Sequence, residues 1–132
     1  MSIGKSVLLA AFILALCSVS FKVAASEDSL AQSWKCKLDM EGFDIGYRIQ
    51  LNSDDTYVSE MIVMTSSTTE EGSWRSQART LFLKPNKTIQ SGKEIESRAE
   101  YERKIVDVSE TKLTLNHEDG FGDPVNTICV AE

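Results

Sequence analysis

Apolar and polar residues alternate along much of this chain, and that period leaves few folds open. Ile45, Tyr47, Ile49 and Leu51 alternate with Asp44, Gly46, Arg48 and Gln50. Successive side chains of a strand point to opposite faces, so this run is a half-buried strand. Asn52-Ser53-Asp54-Asp55 follows, a cluster whose side chains bond their own backbone and favour a turn. Thr56 to Met64 is again rich in β-branched and apolar residues, which completes a predicted hairpin. Thr65 to Glu71 reads as a polar connection ending at Gly72, and Ser73–Gln77 and Thr80–Lys84 as two short strands or one bent one. Pro85-Asn86-Lys87 is expected to end that segment, because proline cannot donate to a ladder.

Lys93 to Asp107 fits two periods. As a strand it places Ile95, Ala99, Tyr101, Arg103 and Ile105 on one face and Glu94, Glu96, Arg98, Glu100, Glu102 and Lys104 on the other. As a helix, Ile95, Ala99 and Val106 share a stripe that Glu102 interrupts. The strand pattern has more matches. Ile105–Val108 and Lys112–Leu115, joined by Ser109-Glu110-Thr111, form a second predicted hairpin. Asp119 to Pro124 is a loop by composition, and Val125–Val130 a last strand. Ser26 to Ser33 is polar apart from Leu30 and Ala31, and is expected to hold one turn of helix or nothing ordered.

The N-terminus has a different character. Lys5, the apolar run Val7–Leu16 and Val23-Ala24-Ala25 have the three parts of a secretory signal peptide, cleaved after residue 25. The run is too short for a membrane span. Cys17 follows Leu16 rather than the small residue that a lipidation site requires, so ordinary cleavage is the better reading. Residues 26–132 then form one domain, exported to the periplasm or the outside of the cell. Removing residues 1–25 takes away Lys5 and Lys22 and no acid, which carries the formal net charge from −6 to −8. That balance disfavours nucleic acid and anionic membrane surfaces, and would steer a cationic protein toward the domain. Cys36 and Cys129 are the two cysteines left. In an oxidising compartment an even pair reads as a disulfide, worth about 4–5 kcal/mol in a chain-entropy account for so long a loop. Joining the first strand to the last is what closes an up-and-down barrel.

Little of the chain points to catalysis. His117 is the only histidine. It sits in the polar stretch Asn116-His117-Glu118-Asp119, which reads as a solvated loop, and no serine near it has a nucleophile-elbow context. The carboxylate pairs Asp54-Asp55, Glu70-Glu71 and Glu118-Asp119 point to opposite faces of a strand or sit at solvated tips. Glu118 to Asp123 lacks the spacing of a calcium loop, two cysteines and one histidine do not make a zinc site, and Gly120 and Gly122 lack the setting of a phosphate cradle. Asn86-Lys87-Thr88 is a glycosylation sequon. Trp34, Tyr47, Tyr57, Trp74, Phe82 and Tyr101 are expected in the core. Arg103 shares the inner face with Tyr101. An inward arginine must be paired or solvated, so it either grips a ligand's carboxylate or reaches water along its stem at the rim.

Several short motifs resemble those of small lipocalin-like barrels. Asn52-Ser53-Asp54-Asp55-Thr56-Tyr57 looks like their turn and strand. Gly72-Ser73-Trp74 followed by Thr80-Leu81-Phe82-Leu83 looks like their Gly-x-Trp strand and its successor. Ile105–Val108 through Leu113-Thr114-Leu115 is similar to their late hairpin. Trp34-Lys35-Cys36 and Ile128-Cys129 also resemble the ends of small exported lysozyme inhibitors of bacteria. The expectation is an all-β protein, a single antiparallel up-and-down β-barrel of about eight strands. It is expected to be no enzyme, with no cofactor and no metal. Its interior would hold an apolar or amphipathic small molecule against Tyr47, Ile49, Met61, Trp74, Tyr101 and Arg103. The alternative is a protein-interaction module, such as an inhibitor of a cationic enzyme, acting through the acidic loop Glu118 to Asp123.

Overall fold

The computed structural model describes residues 29–40 and 45–132. The proposed signal segment, Cys17 and residues 26–28 lie outside the described residues. Nine strands follow one another: β1 Ser33–Asp39, β2 Gly46–Leu51, β3 Thr56–Val63, β4 Ser66–Gln77, β5 Thr80–Gln90, β6 Lys93–Ile95, β7 Tyr101–Val108, β8 Lys112–Glu118 and β9 Pro124–Ala131. Each strand of the wall pairs antiparallel with the next, β7 takes the place beside β5, and β1 pairs with β9. The result is a closed, eight-stranded up-and-down barrel with β6 as an extra strand on β5. A disulfide joins Cys36 and Cys129, which face each other across the β1–β9 seam. Such a bond fits an oxidising compartment. Among the described residues no helix is long and apolar enough to cross a membrane.

Lys93 to Asp107 is strand rather than helix, broken over residues 96–100. A bulge at Val106 then shifts the inward parity from Ile105 to Val108, which turns both Val106 and Asp107 outward. Three sequence expectations need correction. Residues 66–71 are not a connection but the first half of β4; the turn before them is Met64-Thr65, with Met64 left-handed at φ 58°. The run looks like a loop because its inward residues are Thr68 and Glu70 rather than hydrocarbons. Pro85 does not end β5. It faces Gly72 at a register irregularity, in a stretch of β5 with neither β6 nor β7 on its other edge, where a missing N–H is tolerated. Phe82 is not core: it lies between the inward Leu81 and Leu83 and is covered from outside by the Arg75 guanidinium, 3.9 Å from the ring centre.

The two ends of the barrel differ. One is sealed by large side chains: Trp34, Tyr57, Leu51 and Leu113 are fully buried, and so is Leu30. Leu30 belongs to a turn rather than a helix, and the turn is fastened at several points. The Trp34 indole N–H donates to the Leu30 carbonyl at 3.0 Å, the Leu51 N–H to the Gln32 carbonyl at 3.0 Å, and the Gln32 side-chain amide to Glu110 O at 3.1 Å. Leu30→Ala should therefore destabilise the fold by about 2–3 kcal/mol, the lower part of the range for buried leucines because a terminal turn can settle inward. The midpoint of urea unfolding reads this directly.

The same end fixes Trp74. Its indole N–H donates to the Asn52 carbonyl at 2.9 Å and its backbone N–H to Asp55 O at 2.9 Å. The β2–β3 turn is held in shape by Asp55 at φ 70° and by the Asp54 carboxylate accepting the Thr56 N–H at 3.1 Å. Asp55 thus adopts the left-handed conformation for which a glycine is the usual choice.

Candidate functional site

The opposite half of the barrel holds a cavity of about 120 Å³. Inward alternation supplies its wall: Tyr47 and Ile49 from β2, Ser59 and Met61 from β3, Leu81 and Leu83 from β5, Tyr101 and Arg103 from β7, Leu115 and His117 from β8. Leu38 and Thr127 complete it from β1 and β9, and Arg98 enters from the break before β7. A larger depression of about 610 Å³ lies over β1 and β9, but it is formed largely by the outer faces of two strands. The interior cavity is where side chains from most of the barrel converge, the arrangement typical of small-molecule sites.

Five of the six residues named from sequence, Tyr47, Ile49, Met61, Tyr101 and Arg103, line this cavity. Trp74 does not, because it is tied to the β2–β3 turn at the sealed end. Arg98, His117, Thr127 and Glu70 were not among those named. Strand alternation puts Arg98 on an outer face, but the break in pairing over residues 96–100 frees it to turn back over the barrel. His117 is not in a loop: β8 continues through Glu118, and the alternation of Leu113 and Leu115 carries His117 inward. That alternation was present in the sequence, masked by the polarity of its neighbours.

Glu70 anchors a buried polar network. Its Oε2 accepts the Tyr57 hydroxyl at 2.8 Å and the Tyr101 hydroxyl, and its Oε1 accepts the Arg98 Nε–H at 3.1 Å. Glu70 is 7% exposed, and a carboxylate that deep is tolerated only with several donors. Burial, together with the Glu70 carboxylate, pushes the Tyr57 and Tyr101 hydroxyls well above the usual phenol range. Both therefore remain protonated donors. The Arg98 and Arg103 guanidiniums lie 3.6 and 4.7 Å from the centre of the Tyr101 ring, within the reach of cation–π attraction.

Arg103 and His117 are less well provided for. Among the described residues Arg103 makes no ion pair; its Nη1 donates to the Glu102 carbonyl at 2.9 Å. Burial lowers its pKa. The His117 Nδ1 is buried without a hydrogen-bond partner, and burial, then the charge of Arg103, holds this imidazole below its ordinary pKa. Tyr47 is pushed upward by burial, with Arg103 opposing.

The cavity meets the surface beside these two residues. Pairing of β7 with β8 starts at Lys104↔Asn116. Before it, Tyr101–Arg103 is bonded to β5, while His117 and Glu118 are bonded to β9. The wall splits there, and a surface depression shares Tyr101, Arg103 and His117 with the cavity.

The acidic loop after β8 is turned on itself: the Asp119 carboxylate accepts the Phe121 N–H at 2.8 Å and the Asp123 N–H at 2.9 Å. Among the described residues no cluster of three or more His, Cys, Asp or Glu is placed to hold a metal ion. Neither a protein-family model nor a curated protein matches the chain.

Proposed function

We propose that this protein is a small-molecule binding module, lipocalin-like in its use of a barrel interior, and not an enzyme. The observation that carries this reading is the cavity itself: an apolar floor of Ile49, Leu81, Leu83 and Leu115 below a polar rim of Tyr101, Arg103 and His117. A barrel of eight strands is just wide enough to be filled by side chains or to hold one small ligand. A cavity of about 120 Å³ is slightly smaller than an engineered one of about 150 Å³ that takes up benzene. The bound part of the ligand is correspondingly small, and any longer substituent leaves through the split between β7 and β8. Export, signal cleavage and delivery to the periplasm or exterior belong to the same proposal and agree with the disulfide.

The test is occupancy. Native mass spectrometry of the chain purified from producing cells should show a bound species of defined extra mass, lost on denaturation. A Leu83→Trp variant, which fills the cavity, should be bare. A bare native protein that also takes up no small apolar or amphipathic compound when soaked with them would remove the proposal. Attention would then move to the acidic surface and a cationic protein partner.

A further inference from the structure

Building on the proposed binding role, we infer that the cavity selects a small carboxylate with an apolar body, its carboxylate held by Arg103 and the His117 edge and its body among Ile49, Leu81, Leu83 and Leu115. Four observations lead there. The cavity wall includes two guanidiniums and one imidazole and no carboxylate. Glu70 behind it neutralises Arg98 through the Nε–H bond, which leaves Arg103 as an unmatched positive charge. The His117 Nδ1 is buried without a hydrogen-bond partner, on the strand across the split from Arg103. An unpartnered polar group of this kind in a native interior calls for an explanation, and a ligand that accepts from one or both groups supplies it.

The rest of the molecule argues against a general affinity for anions. The chain carries a formal net charge of −6, so at long range it repels them. That repulsion is screened beyond about 8 Å at physiological ionic strength, whereas a charge-assisted bond at a partly buried guanidinium is screened far less. Glu102, Lys104 and Glu118 share the depression at the split, so the local term wins once the anion has passed them and lies against Arg103, and the apolar floor adds to it only for ligands with a hydrocarbon part. A bare inorganic anion has nothing to place there.

Benzoate and benzyl alcohol are the matched probes, alike in size and differing in charge. The readout is calorimetric titration of the full exported chain, with amide chemical shifts to locate the site. Benzoate should bind about tenfold tighter than benzyl alcohol or more, the scale of one charge-assisted hydrogen bond. Arg103→Met should abolish the preference and leave benzyl alcohol binding intact, with shifts still at Ile49, Leu83 and Leu115. Arg103→Lys should keep part of the preference, which guards against a folding defect in the methionine variant. Equal affinity for the two probes in the native chain would overturn the inference while the binding-module reading stands. Inorganic phosphate binding as tightly as benzoate would overturn the assignment of an apolar body. Failure of both aromatic probes to bind, with the cavity shown empty by native mass spectrometry, would overturn both readings.

Discussion

Replacing Glu70 with leucine is expected to cost about 2–5 kcal/mol, chiefly from two tyrosine hydroxyls left without their acceptor. Three donors lose their acceptor at once: the Tyr57 hydroxyl, the Tyr101 hydroxyl and the Arg98 Nε–H. Each buried donor left unsatisfied costs roughly 1–3 kcal/mol. Arg98 contributes least, because its side chain is 56% exposed and can turn to water. Tyr57 contributes most, because it is fully buried and has nowhere to turn. The double variant Glu70→Leu with Tyr57→Phe should therefore recover at least about 1 kcal/mol of the loss, since replacing both partners by apolar groups is far milder than removing one. Chemical denaturation of the single and double variants provides the measurement. A double variant no more stable than Glu70→Leu alone would show that the Tyr57 bond is not where the cost lies.

The second large effect is at Gly72. A Cβ added there would sit far inside contact distance of the Lys84 carbonyl oxygen, 2.8 Å from its carbon and 2.9 Å from the Pro85 Cα. These are backbone atoms of the paired strand, so no rotamer change relieves the clash. Gly72→Ala should cost on the order of 3 kcal/mol, the upper part of the range for overpacking. Gly46→Ala is the control: its Cβ would meet only the Cys36 carbonyl oxygen, at 3.2 Å, which a small backbone adjustment accommodates. If the two alanine variants melt within a degree or two of each other, the close approach of β4 and β5 at Gly72 is not what the structure describes.

Gly72 also shows what sequence reading could and could not reach. Gly72-Ser73-Trp74 marks a strand, and the strand is there, but the reason for the glycine is a tertiary one: it faces Pro85 at an irregular register where two backbones come together. Alternation is a reliable guide where the inner residues are hydrocarbons, as in β2 and the Leu113–Leu115 part of β8. It fails where the inner residues are polar. Glu70 and His117 look solvated in the sequence because local composition does not report that two tyrosines, an arginine or a cavity lie opposite. The Ala78-Arg79 turn, left-handed at φ 51° and 58°, lacks the Asn-Gly signal such turns usually carry, so one hairpin read equally as a bent strand. The disulfide, by contrast, followed from a count: with two cysteines in the domain there is one pairing.

That bond has a kinetic meaning as well. Most neighbours in the wall are joined by short connections, so the sheet can grow hairpin by hairpin from local contacts, the regime in which β proteins fold fastest. The seam between β1 and β9 is the exception, with 93 residues separating the bonded cysteines. It is the one closure that must wait for the last strand to be made. Until it forms, the chain is an open meander with two bare edges, each a template for another copy. Oxidation makes the closure permanent. An oxidised barrel cannot unroll along that line, so the proposed exchange of a guest falls to the gap between the strands that carry Arg103 and His117, or to the surface depression that shares Ser59, Met61 and Arg98 with the cavity.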